Sequence, residues 1–224
     1  MPKPSDWRPI LAQWANEKDQ THRENRFQEW LHEILRRDFV VQREAWGTYL
    51  RKQERRRIDF LCKPRAHLRL MGFPPLIFGI EAKYVLGWED NKKFMSRWVA
   101  QMTRYLHSQF PTRKGLVYPD FVLSTPPISE VIEPTQESGL LDGVWSQRIC
   151  HQIGIGELSF RPRCYYDPPR DQRGEEYTIV LEIRFDGWWW NNTRPQMGLF
   201  PGKHIYNPKF NRKESDESAA LQVC

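Results

Sequence analysis

A mixed α/β fold, a sheet flanked by helices, is what the sequence predicts, and three observations carry that prediction. Segments with helical spacing of apolar residues interrupt short β-rich runs in the order helix, strand, strand, strand, helix, strand, with more β-rich sequence behind. The 224 residues are 39% hydrophobic and include ten tryptophans, enough to fill the core of one large domain or one and a half. No apolar run approaches the ~20 residues that a membrane span needs, so a membrane is not an expected partner.

Residues 6–18, DWRPILAQWANEK, suit a short helix with Ile10, Leu11 and Trp14 inward. A stronger helix follows in THRENRFQEWLHEILRRD. Thr21 and Glu24 have capping-box spacing, and Phe27, Trp30, Leu31, Ile34 and Leu35 recur at helical period. FVVQREAW at 39–46 is rich in β-formers, and RIDFLC at 57–62 reads as a second strand. LIFGIEAKY at 76–84 is the third, after a Pro- and Gly-containing connection. EDNKKFMSRWVAQMTRYLHSQF predicts a long helix with Asp90 as N-cap and Pro111 just past its end. Phe94, Trp98, Met102, Tyr105 and Leu106 make its apolar stripe. YPDFVLS at 118–124 is a fourth core strand, and a Pro/Ser/Glu-rich connection follows at 125–143. IGIGELSF and YTIVLEIRF then predict further strands, and no internal repeat is present. The expected organisation is an N-terminal extension over 1–20, a core over 21–125, a β-rich extension of the same domain over 126–210, and a disordered polar tail over 211–224.

Cys62, Cys150, Cys164 and Cys224 form no C-x-x-C pair, and their spacing matches neither a disulfide framework nor a zinc site. Reduced thiols in a cytoplasmic protein are the expectation. MPKPSDWRPI has no hydrophobic core segment, so a secretory signal is not expected. The net charge of +6 and a pI near 9.2 are compatible with a polyanionic partner. The basic residues cluster: RKQERRR at 51–57 runs straight into IDF, and NKKFMSR and PTRK add to it. There is no P-loop, so any helicase or ATPase partner is a separate chain.

PPLIFGIEAKY ends the most hydrophobic run of the chain with Glu81 and Lys83. Side chains alternate along a strand, so Gly79, Glu81 and Lys83 share one face while Phe78, Ile80, Ala82 and Tyr84 take the other. Asp59 is expected to face away from Ile58 and Phe60. Strands adjacent in sequence pair as a hairpin by default, which brings Asp59, Glu81 and Lys83 to one end of the sheet. Two carboxylates at one point repel and call for a cation, and oxygen ligands suit Mg²⁺ or Mn²⁺. Such an ion polarises a phosphodiester, and an adjacent lysine orients water or offsets developing charge. The same spacing also fits a surface salt bridge, Glu81–Lys83 or Asp59–Lys83.

RIDF with Asp59, GIEAK with Glu81 and Lys83, and the following helix with QMTRY resemble the PD-(D/E)xK nuclease superfamily over roughly residues 21–125. The resemblance implies a restriction-endonuclease-like core of helix, three strands, helix and strand, followed here by additional C-terminal β-structure. It implies a divalent-metal-dependent nuclease acting on DNA with Mg²⁺ or Mn²⁺. Asp59 and Glu81 become metal ligands, the Ala82 carbonyl a further ligand, and Lys83 the residue that positions water. Gln101 and Tyr105 are similar to the Q-x-x-x-Y motif of the RecB-like and Cas4-like branch. By the same resemblance Gln101 joins the catalytic residues, and Glu24 best fits the first-helix glutamate as a further metal ligand, with Glu29 and Glu33 competing. The first motif is IDF without proline, and the literal Pro-Asp at 119–120 follows the lysine, so Asp120 is expected to begin the fourth strand.

A catalytically silent nucleic-acid-binding or assembly module, or an RNA-cleaving enzyme, stands as the alternative. Arg55, Arg56, Arg57, Lys92, Lys93, Arg97, Arg104 and Tyr105 are expected along the nucleic-acid backbone, although Tyr105 also fits the core. Arg51 and Lys52 belong to the same basic block. Trp188–Trp190 suit either base stacking or packing. Glu44 is a spare ligand, and Glu157, Cys150 and His151 are weaker candidates.

Overall fold

The computed structural model describes residues 8–17, 19–85, 91–127, 149–162, 179–185, 188–192 and 194–199. Helix α1 (Arg8–Ala12) and the long α2 (Gln20–Asp38) lead into strands β1 (Phe39–Tyr49) and β2 (Glu54–Pro64). A short α3 (Ala66–Leu70) precedes β3 (Phe78–Ala82) and α4 (Asn91–Leu106). Then come β4 (Ser108–Thr112), β5 (Gly115–Val117), β6 (Phe121–Thr125) and β7 (Ile155–Pro162). Strands β8 (Ile179–Phe185), β9 (Trp188–Asn191) and β10 (Arg194–Leu199) complete the described elements. The strands join one mixed sheet in the order β10-β9-β8-β7-β6-β3-β2-β1-β4-β5. Among the described strands only β3–β6 and β6–β7 are parallel pairs; the others are antiparallel. The chain is therefore α/β, with a large and mostly antiparallel sheet. Among the described residues no helix is long and apolar enough to cross a membrane.

Helix α2 begins two residues earlier than the capping-box pattern predicts. Asp19 is the N-cap: its backbone is extended and its carboxylate accepts from the His22 N–H at 2.7 Å. Thr21 is exposed inside the first turn, which leaves Glu24 for another partner. Phe27, Leu31 and Leu35 bury the inner face. Arg36 and Arg37 sit in the last turn, where cations meet the free carbonyls, and Phe39 turns the chain into β1.

Helix α4 stops at Leu106, earlier than Pro111 predicts. Residues after it form β4, which pairs with β1 through Thr48↔Gln109 and Tyr49↔Ser108. The Ser108 hydroxyl turns back to the Arg104 carbonyl at 2.8 Å and closes the helix end. Phe110 is fully buried from the strand; a Cβ on Gly47 would lie 2.7 Å from its ring, so the missing side chain is what admits it. Burying a phenylalanine outweighs another turn of helix here. Trp98, Met102, Tyr105 and Leu106 are buried as the stripe predicts. Asp90 and the Phe94 side chain lie outside the described residues.

A layer of aromatic rings runs through the core across the sheet. Phe39 meets Phe78 edge to face at 5.2 Å, Phe78 stacks on Phe121 at 4.9 Å, and Phe121 stacks on Phe185 at 4.0 Å. Trp190 closes the layer against Phe39 and Phe73 and is fully buried, so this tryptophan is core and not a base platform. Every residue of β3 is buried, as befits a strand with a neighbour on each side and packed on both faces. Cys62 and Cys150 are free and buried, and Cys164 and Cys224 lie outside the described residues.

Candidate functional site

The β2–β3 ladder runs Cys62↔Phe78, Leu61↔Gly79 and Phe60↔Ile80. One further step on each strand sets Asp59 against Glu81. There the ladder changes character: the Ala82 N–H donates to Oδ2 of Asp59 at 2.8 Å, a side-chain acceptor where a ladder uses a main-chain one. The change has a cause on the neighbouring strand. The pairs between β1 and β2 are continuous except at Glu44, which faces Asp59, and Glu44 has a left-handed φ of 46°. Regular alternation fails across this point. Ile58 does not point away from the Glu81 face as expected; its Cδ1 would lie 2.2 Å from a Cβ on Gly79. The irregularity turns the Asp59 carboxylate toward the end of β3.

Glu81 is 1% exposed and Asp59 7%. Lys83 lies just past β3, where its N–H donates to the Thr125 carbonyl of β6 at 2.8 Å. Its Nζ is 2.9 Å from Oε1 of Glu81 and 3.2 Å from Oε1 of Glu24, which α2 delivers one turn from its N-terminus. Helix α4 closes the other side. Gln101 Nε2 donates to Oε1 of Glu81 at 2.7 Å and lies 2.6 Å from the Tyr105 hydroxyl, which donates to the Arg57 carbonyl at 2.6 Å. Gln101 and Tyr105 are one turn apart on α4, so one helix face reaches both strands. Tyr84 ties α1 to the same end through the Leu11 carbonyl at 3.0 Å.

Burial, and then the charge of Asp59, push the Glu81 carboxyl up to about 8. Burial also raises Asp59, against the pull of Lys83. Burial alone would lower Lys83, but Glu81, Glu24 and Asp59 outweigh it and hold the ammonium above the ordinary lysine range. Burial and the Glu81 charge raise the Tyr105 phenol, which stays protonated and donating.

These facts bear on a hard divalent cation. Oε2 of Glu81 is buried and has no hydrogen-bond partner among the described residues. An acceptor left open beside a second carboxylate is a place a cation fits, and oxygen is the donor such ions take. Asp59 and Glu81 fit that role. The Glu24 carboxylate is turned to Lys83, and among the described residues no group of three or more His, Cys, Asp or Glu could hold a metal. Glu24 is here a partner of the lysine. Glu29 and Glu33 are exposed and pair with Arg26 and Arg36. Ala82 is buried beside the pair and gives its N–H to Asp59.

The remaining candidates divide. Arg55, Arg57, Arg97 and Arg104 are exposed, and Arg56 is half-buried against Glu54. Lys92 and Lys93 lie in the first turn of α4, and their side chains are outside the described residues. Tyr105 is corrected: at 2% exposure, with its hydroxyl spent on Arg57 and Gln101, it cannot touch nucleic acid. Glu44 pairs with Arg57 at 3.2 Å and is exposed, so it is not a ligand of the buried pair. Asp120 accepts from the Ile77 N–H at 2.7 Å and fastens the start of β6 to the approach to β3. Glu157 is buried on β7, opposite Ser124, which is itself opposite Glu81; the three occupy successive strands. Burial and then Glu157 push the Cys150 thiol up to about 11. Trp46, which the sequence did not single out, lies under the Arg55 guanidinium at 4.7 Å from its ring centre.

Comparison with protein-family models, with curated proteins and with solved structures finds no match for this chain.

Proposed function

We propose that the protein is a divalent-metal-dependent nuclease that hydrolyses DNA phosphodiester bonds, on a restriction-endonuclease-like core over roughly residues 21–125 of a cytoplasmic protein. One observation carries this: Glu81 is almost fully buried with Oε2 unpartnered, Asp59 adjoins it, and Lys83 stands 2.9 Å away. Burying two carboxylates together is costly, and a cation between them offsets the cost.

Asp59 and Glu81 would hold Mg²⁺ or Mn²⁺, with the Ala82 carbonyl as an added ligand. Bound there, the ion would supply the charge that polarises the phosphodiester and neutralises the departing oxygen. Lys83 carries a permanent positive charge beside the carboxylates, so its ammonium can orient an attacking water and meet negative charge growing on the phosphoryl oxygens. Glu24 keeps that ammonium from collapsing wholly onto Glu81. Gln101 and Tyr105 fix the Glu81 rotamer through a chain anchored on the Arg57 carbonyl. Arg55, Arg57, Arg97 and Arg104, with Lys92 and Lys93 on the same helix as Gln101, would hold the phosphate backbone. Any helicase or ATPase partner would be a separate chain.

A second reading has its own support. Lys83 already contacts both Glu81 and Glu24, an arrangement that also suits a silent binding or assembly module. Incubating the purified protein with linear, circular, branched and single-stranded DNA in Mg²⁺, Mn²⁺ or EDTA separates the two. Cleavage in metal that stops in EDTA supports the nuclease; intact DNA in every lane supports the module. A parallel RNA lane tests the RNA-cleaving alternative.

A further inference from the structure

The β1–β2 hairpin carries an exposed aromatic. Trp46 is 47% exposed, and the guanidinium of Arg55 lies over its ring at 4.7 Å from the centroid. Trp46 sits opposite Arg57 in the β1–β2 register, and Arg57 is two residues from Asp59. The charge of Arg57 is felt at Asp59, where it opposes the rise of the carboxyl. Arg55 is four residues from Asp59, so along a strand the two arginines lie roughly 7 and 13 Å from the carboxylate. Arg51 and Lys52 are exposed at the tip of the same hairpin. Between residues 42 and 57 there are six basic residues and two acidic ones, so much of the excess positive charge of the chain sits here.

An exposed arginine–tryptophan stack can be a self-contained surface pair. Two facts here point to a ligand instead. Nearly half of a large indole is left in water on a regular strand, where burying it would be favourable. The surrounding charge is complementary to phosphate. An aromatic platform flanked by arginines holds nucleic acid by stacking a base on the ring while the cations take the backbone. The bases of a duplex are already stacked on one another and cannot use such a platform, whereas those of a single strand can.

We infer that Trp46, with Arg55 and Arg57 beside it, is a stacking platform that selects single-stranded DNA. The inference rests on the nuclease reading, so it is tested by binding alone. The full chain is titrated in EDTA against labelled oligo-dT and a labelled duplex of equal length, and affinity is read by fluorescence anisotropy. The wild type should bind oligo-dT more tightly than the duplex. Trp46→Ala should weaken oligo-dT about tenfold and the duplex less than about twofold, while Trp46→Phe keeps oligo-dT within about threefold. If the alanine variant does not fold, Trp46→Thr, a good strand former, replaces it. An unchanged oligo-dT affinity, an equal loss for both ligands, or no binding to either overturns the platform. Cleavage in Mg²⁺ with binding indifferent to Trp46 removes only the platform. Binding that depends on Trp46 without any cleavage removes only the nuclease reading.

Discussion

Glu81 is the residue on which the site turns. Its carboxyl is raised from an ordinary 4.5 to about 8, by burial first and by Asp59 second. The folded protein therefore holds a proton on Glu81 at pH values where the unfolded chain has lost it. Stability from this group is full below about 4.5 and is lost as pH rises through about 8. In EDTA, the urea midpoint of the wild type should fall across that window, by at most about 1.4 kcal/mol per pH unit for one proton. Glu81→Gln should flatten the fall, and equal slopes in the two proteins would show that Glu81 is not the group responsible. Lys83 gives a different signature. Lys83→Met should slow DNA cleavage at least about a hundredfold, while Mn²⁺ affinity by calorimetry stays equal or rises, because a competing ammonium has been removed from the ground state. A loss explained wholly by weaker metal binding would contradict that role. Asp59, Glu81 and Lys83 were legible as a group because two short strands adjacent in sequence pair by default. The left-handed Glu44 that redirects Asp59 was not, since a glutamate in that conformation leaves no pattern in a sequence. Glu24 was legible as a residue near the site, but its commitment to Lys83 depends on the entry angle of α2, which Asp19 and not Thr21 sets.

At the scale of elements, α4 is the clamp. It is joined to β2 and β3 through Tyr105, Gln101, the Arg57 carbonyl and Glu81. Tyr105→Phe keeps the ring in the core and removes only the hydroxyl. It should lower stability by about 1 kcal/mol or somewhat more, because the Arg57 carbonyl loses a partner. The check is a urea midpoint shift at constant m-value; an unchanged midpoint would mean that the chain of hydrogen bonds carries no load. The spacing of Gln101 and Tyr105 on one helix face was readable from the sequence, and so was the apolar stripe. The end of α4 was not. Residues 108–112 leave the helix because Phe110 finds a buried place over Gly47, a contact between segments some sixty residues apart that helical periodicity cannot reveal. Strand β3 is shorter than its apolar run, since β6 pairs only with Phe78–Ala82 and β2 only with Phe78–Ile80.

For the molecule as a whole, fold class followed from the order of elements, while the sheet order did not. Nothing local in Ile155–Pro162 says that β7 lies parallel beside β6, or that Glu157, Ser124 and Glu81 fall in one row. Those are long-range pairings, set by burial of the aromatic layer across the sheet. Charge is likewise a property of the assembled surface. Arg97 and Arg104 are both exposed on α4, the helix that also carries Gln101. Duplex affinity measured in Ca²⁺ should fall by roughly 0.9 log units per log unit of salt for each phosphate contact. Neutralising both arginines should flatten that slope and weaken binding equally across sequences. An affinity indifferent to salt and to the double substitution would leave this charge as ordinary solvation. The central claim, that Asp59 and Glu81 form a metal-dependent hydrolytic centre, is tested most directly by the cleavage rate of Glu81→Gln against wild type in Mg²⁺, with circular dichroism confirming that both are folded. The wild type should cleave and the variant should lose at least about a hundredfold; a folded Glu81→Gln protein that cuts DNA at the wild-type rate would remove Glu81 from the hydrolytic centre.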